Sequence, residues 1–370
     1  MFMACCFSAR VKVENPTHNE VVGREEVVSG GLSNKVSSST VLLTSRTEGE
    51  ILQSNNLKCF TFNEVKTATR NFHPSGELDE RGFGRVFKGW IDEHMQAPTK
   101  PGTGFVVAVM MFNNESNQEH SEWLAKINYL GQLRHPNLVK LIGYCLEGSY
   151  RILVYEFVTK GNLDNHLFRS FSNFLPLTWK IRMKIALDAA KGLAFLHSDK
   201  VGKIHGDFKT SKILIGSNYN AKLLFLGFLK VRSDSNMPDY DVVDMGPQIN
   251  ATPEYIDTDY LTKENDVYNF GVVLLEIMSG KRAVDKNMPL QEQNLVEWAK
   301  PLLNNKHKIS QVMDVRIEGE YSSRDAMKLA HIIIQCLSEK PEYRPKIQEI
   351  VRSLEQLQHS DDTVGGVRSS

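Results

Sequence analysis

The chain has 370 residues, with 44 Lys and Arg against 44 Asp and Glu, so its formal net charge is zero. That neutrality excludes the basic excess of a polyanion-binding protein, and 41% hydrophobic with 24% charged residues excludes a chain disordered throughout. Five cysteines, an odd number with no pair of C-x-x-C motifs, exclude a disulfide framework and a structural zinc site, so a reducing compartment is expected.

Residues 1–57 read as a disordered tail, rich in Ser, Thr, Asn, Glu and Gly and without sustained apolar period. Residues 58–76 read as an extension whose short helix, Thr61–Asn71, carries Val65, Ala68 and Phe72 on one side. From 77 to 112 the pattern is strand-like, broken by Gly82, Gly84 and Gly89 and by a hairpin loop at Met95–Gly104. Residues 119–133 switch to helical period, with Trp123, Ile127 and Leu130 on one face. Strands follow at Val139–Leu146 and Arg151–Phe157. Helices then dominate: Trp179–His197, Asp266–Ser279, Leu295–Leu303, Ser323–Leu337 and Lys346–Gln358. The polar residues 358–370 read as a second disordered tail. No apolar run reaches the ~20 residues of a membrane helix, and Met1–Cys6 lacks the basic segment and long apolar core of a secretory signal.

This order, a small β-rich region with one helix and then a helical region, resembles a protein kinase, and the motifs agree. Leu78–Val86 sits where kinases have a Gly-rich loop, and Val107-Ala108-Val109-Met110 matches V-A-I-K. His205-Gly206-Asp207 with Lys212 matches H-R-D…N, Phe225-Leu226-Gly227 matches D-F-G, and Thr252-Pro253-Glu254 matches A-P-E. Stretches such as Phe60–Val65, Val86–Asp92, Tyr129–Tyr144 and Asn294–Pro301 are similar to the immune-signalling subgroup of plant receptor-like cytoplasmic kinases, over roughly residues 57–357. The resemblance implies an α+β, bilobal fold: an N-lobe at 77–156 with one regulatory helix, and a larger helical C-lobe at 157–357. It implies an apolar adenine slot built from Leu78, Val86, Ala108, Met110, Glu156, Val158 and Leu214. It also implies that Asp266 anchors the catalytic loop and that Arg344 pairs with Glu254.

Phosphoryl transfer needs a phosphate cradle, a cation, metal ligands and a base. Asp79 and Arg81 replace the first two glycines of the cradle, and a plain β-hairpin turn is the favoured reading there. Met110 replaces the phosphate-binding Lys, and Lys126 replaces its Glu partner. A stem reaching along apolar surface to water is the favoured reading of Lys126; a relocated phosphate-binding cation is the sharper one. Phe225 and Lys212 replace the two metal ligands, one apolar and one cationic where Mg²⁺ wants oxygen. Gly206 replaces the Arg that receives an activation-loop phosphate, and Asp241-Val242 and Pro247 depart from the family's loop. Asp207 and Lys209 are retained at the proton-acceptor and phosphate-contact positions, and pairing of Asp207 with Lys209 or Lys212 is the favoured reading.

The expectation is therefore a kinase-fold protein with phosphotransfer lost: a scaffold, an allosteric partner or a decoy. The runner-up is an atypical or weakly active serine/threonine kinase. No cofactor and no metal are expected, with ATP held without Mg²⁺ as a variant. Expected partners are proteins, namely active receptor-like or cytoplasmic kinases, and not nucleic acid. A cytoplasmic location is expected; Cys5 and Cys6 read either as palmitoylation sites that would give peripheral membrane contact or as two unmodified thiols, and with Phe2 at the second position no myristoylation is expected.

Overall fold

The computed structural model describes residues 57–81, 84–112, 120–168, 175–227 and 261–364. Six strands form one sheet in the order β1 (Lys58–Cys59), β5 (Leu141–Cys145), β6 (Ile152–Glu156), β4 (Phe105–Phe112), β3 (Gly84–Ile91), β2 (Glu77–Arg81). Alternation along β4 explains the two faces: Val107 and Val109 enter one core, Met110 and Phe112 the other. Neighbours pair antiparallel except β1, which runs parallel to β5 with Lys58 opposite Gly143. Gly143 is required there, because a Cβ would stand 2.2 Å from the Lys58 carbonyl oxygen.

Helix α1 (Phe62–Ala68) lies over the first face. Thr61 and Glu64 close its N-terminus reciprocally, each side chain taking the other's backbone N–H. Val65 and Ala68 then join Phe60, Phe87, Val109 and Ile152 in a separate small core. Phe62 stacks on Tyr150 with ring centroids 3.8 Å apart. Helix α2 (His120–Gln132) covers the second face with Trp123, Leu124, Ile127 and Leu130.

The second region holds α3 (Leu163–Phe168), α4 (Trp179–His197), α5 (Lys263–Ser279), α6 (Leu295–Leu303), α7 (Ser323–Cys336) and α8 (Ile347–Val364), with a hairpin of β7 (Ile213–Ile215) and β8 (Ala221–Leu223). Helix α5 is buried almost all round and is the pillar of this region. Its Gly271 lets α7 approach closely, since a Cβ would stand 2.6 Å from that of Cys336. Arg182 and Asp314, both buried, pair at 2.6 Å, and Arg182 also donates to the carbonyls of Leu177 and Ile277. Together the sheet lobe and the helical lobe form the bilobal kinase fold that the sequence implied.

Two elements differ from expectation. Helix α8 runs on to Val364, past the expected start of the tail at 358. Ile350, Leu354 and Leu357 anchor it in the core, and no Gly or Pro interrupts the chain before Gly365. Helix α3, six residues long, is too short to print a helical period on the sequence.

Asp266, fully buried at the start of α5, accepts hydrogen bonds from the backbone N–H groups of His205 (2.6 Å) and Gly206 (2.7 Å), and its carboxylate lies 2.8 Å from His197 Nε2. Asp266→Ala is expected to destabilise the protein by roughly 3–5 kcal/mol, because it strands buried donors. Urea unfolding of the full chain checks this.

Candidate active site

The loop between α4 and β7 carries His205, Gly206, Asp207 and Lys209. Asp266 holds its backbone, and Gly206 takes φ +73°, a conformation glycine adopts without strain. His205 is buried, with its ring 5.4 Å from that of Phe208 and 5.8 Å from that of Phe225. Burial lowers the pKa of its imidazole and favours the neutral form.

Asp207 faces two cations. Lys209 Nζ lies 2.7 Å from Oδ1, and Lys212 Nζ lies 3.6 Å from Oδ2. Lys212 is only 5% exposed, so this carboxylate is the counter-charge that makes its burial tolerable. The sequence left the pairing open between Lys209 and Lys212; the geometry has both.

Phe225 is buried and points into an aromatic column with His205, Phe208 and Phe270. Leu226 is buried beside it, and Gly227 packs its backbone on Leu130 of α2. Met110 is 3% exposed and belongs to the main core. Lys126 is half-buried with its Nζ wholly out of solvent, which corrects the reading of a stem reaching to water. Its neighbour in sequence Ile127 is buried against the sheet, and α2 carries the Lys126 ammonium inward with it.

The expected adenine slot has its pieces on opposed elements. Val86 and Ala108, half-buried, stand on β3 and β4, and Leu214, half-buried, stands on β7. Val158 is buried just after β6, whereas Leu78 is 45% exposed. The Glu156 carboxylate is engaged by Lys222 Nζ (2.6 Å) and the Lys140 N–H (2.8 Å). A seam ties this region to the helical lobe: Asn137 Nδ2 donates to the Ala221 carbonyl, and the Leu223 N–H donates to the Asn137 carbonyl.

Arg344 donates to the carbonyls of Ser338 and Glu264 and stacks over Tyr268 at 4.9 Å. Its expected partner Glu254 lies outside the described residues, as do Cys5, Cys6, Asp241, Val242 and Pro247; the side chains of Asp79 and Arg81 do too. Their strand β2 pairs with β3 as an antiparallel hairpin.

Sequence reasoning overlooked two buried groups. The Tyr155 hydroxyl, inside β6, has no hydrogen-bond partner among the described residues, although its strand position looks like any core aromatic. Glu276, on α5, accepts from the Ala283 N–H at 2.8 Å, and burial pushes its carboxyl up to about 7. A single charged residue within the apolar run Phe270–Met278 was the available signal for Glu276.

Lobes, loop and hinge strand define a protein-kinase domain. The model of the family described as protein tyrosine and serine/threonine kinase matches residues 73–354. Receptor-like cytoplasmic kinase 176 of Oryza sativa subsp. japonica is 51% identical, covering 98% of this chain and 91% of the relative. Serine/threonine-protein kinase BIK1 of Arabidopsis thaliana is 52% identical, covering 96% and 89%. Probable serine/threonine-protein kinase PBL9 of Arabidopsis thaliana is 51% identical, covering 98% and 88%. The chain belongs to the plant receptor-like cytoplasmic kinases.

These relatives correct one expectation. Serine/threonine kinases normally work with ATP and Mg²⁺ or Mn²⁺, so the expectation of no cofactor, and its variant of ATP without Mg²⁺, does not stand. The side chains at the two metal-ligand positions do not fit such an ion: buried Phe225 offers no oxygen and Lys212 offers a positive charge. No catalytic step is therefore derived through the metal.

Tyr155→Phe removes a buried hydroxyl with no partner and is expected to stabilise the protein by about 1 kcal/mol, read by urea unfolding. For Glu276, folding raises the pKa from its ordinary 4.5 to about 7, so the native state binds more protons between those values and stability is lost as pH rises through 7. Glu276→Gln should narrow the difference in melting temperature between pH 5 and pH 8, a window about one unit wider than the titration on its upper side.

Proposed function

We propose that this chain has lost phosphotransfer and acts through its surfaces, as a scaffold, allosteric partner or decoy for active kinases in plant receptor-kinase immune signalling. The observation that carries the proposal is the environment of Asp207. The Asp207 carboxylate faces two cations, Lys209 at 2.7 Å from Oδ1 and Lys212 at 3.6 Å from Oδ2, so a second positive charge stands where the H-R-D…N pattern has a neutral Asn that holds metal. Phe225 supports the same reading: it stands at the D-F-G aspartate position and is spent on packing with His205. Met110, in place of the phosphate-binding Lys, is likewise core. Asp266 holds the loop's backbone through His205 and Gly206, so the scaffold of the site is intact around these positions. The proposal includes a cytoplasmic site of action, with membrane contact through acylated Cys5 and Cys6.

A second reading, a weakly active serine/threonine kinase, draws on the names of the relatives and on the retained Asp207 and Lys209. Phosphate incorporation from Mg²⁺-ATP and from Mn²⁺-ATP separates the two. The full chain is expected to give no more incorporation than its Asp207→Ala variant. Metal-dependent incorporation that Asp207→Ala abolishes would overturn the proposal and establish the kinase reading.

A further inference from the structure

A concave patch of about 370 Å³ opens on the surface between the α2–β5 connection, the end of β6 and β8. We infer that it is a docking site for a short acidic peptide segment of a partner protein, with an apolar side chain between its carboxylates. The inference holds whether or not the chain transfers phosphate, because none of the lining residues is the base or a metal-ligand position.

The floor is apolar. Leu138 is buried, Leu133 is half-buried, and Pro136 presents its ring to solvent. The rim is cationic, with Arg134, Lys140 and Lys222 against one carboxylate, Glu156. That carboxylate is already spent, because its Oε1 accepts from Lys222 Nζ at 2.6 Å and from the Lys140 N–H at 2.8 Å. The guanidinium of Arg134 and the ammonium of Lys140 are both exposed and have no hydrogen bond or ion pair among the described residues. Two unanswered cations beside an apolar floor call for two anions flanking an apolar group. The volume lies at the small end of the range for ligand sites, which suits one or two side chains of a peptide.

Charge also argues for another protein rather than the chain's own tail. Residues 1–56 hold six Glu against five Lys and Arg, so they bring almost no net negative charge. A bare phosphate would use the rim but leave the floor wet, so the apolar surface favours the peptide.

The probe is an array of fluorescein-labelled pentapeptides centred on Leu, Ile or Phe with Asp or Glu on both sides, read by fluorescence anisotropy against the full chain. Companion peptides carry Asn and Gln in place of the acids. At least one acidic peptide is expected to bind well above its amide companion. The Arg134→Gln, Lys140→Gln double variant should weaken that binding about tenfold, the loss of two exposed ion pairs reinforced by the apolar contact. Its melting temperature should stay that of wild type, because both side chains are exposed and make no contact the fold uses. Millimolar inorganic phosphate should fail to displace the peptide. The inference is overturned if no acidic peptide outbinds its amide companion, if the double variant binds equally well, or if phosphate competes as effectively as unlabelled peptide.

Discussion

The Asp266 carboxylate is the constraint on which the site depends. It sits at the N-terminal end of the most buried helix and accepts from the backbone of His205 and Gly206, with His197 closing its second side. A buried carboxylate is tolerable only when its lone pairs are filled, so the loop is fixed as firmly as the helix beneath it. The position of Asp207 is a consequence, and so is the approach of Lys209 and Lys212 to it. The helix therefore places the chemistry-bearing loop before any nucleotide or partner is considered.

Electrostatics limits which charges the junction around this loop can hold. Phe225 brings no charge to the side of the loop, and Lys212 is a buried cation that Asp207 answers. Lys209 and Lys212 thus have an anion beside them in Asp207. Apolar contacts take up the space, as Phe225 does against His205 and Met110 does within the sheet. The result is a packed junction between lobes, reinforced by the Asn137 seam to β8.

Much of the fold was legible because its signals are local. Alternation in Phe105–Phe112 gives a two-faced strand, and the spacing of Trp123, Ile127 and Leu130 gives a one-sided helix. The motifs located the loop and the substituted positions, because they are contiguous strings. The direction of the Lys126 ammonium was not legible, since a lysine on a helix reads alike whether its tip meets water or the core. Nor was the unpartnered Tyr155 hydroxyl, which depends on what stands across the lobe. The end of α8 was misjudged because polarity suggested fraying where the preceding apolar face holds the helix.

The sequence by itself determined the elements, their order and the chemical identity of each motif position. Propensity, periodicity and residue type are properties of neighbours along the chain, and composition needs no geometry. Only the tertiary structure decided which charges face one another: Asp207 with both lysines, Glu156 with Lys222, and Arg134 and Lys140 with none among the described residues. Those partners come from segments far apart in the chain, and Coulomb energy depends on distance in space and on the local dielectric. Burial sets that dielectric, and burial is a property of the packed whole.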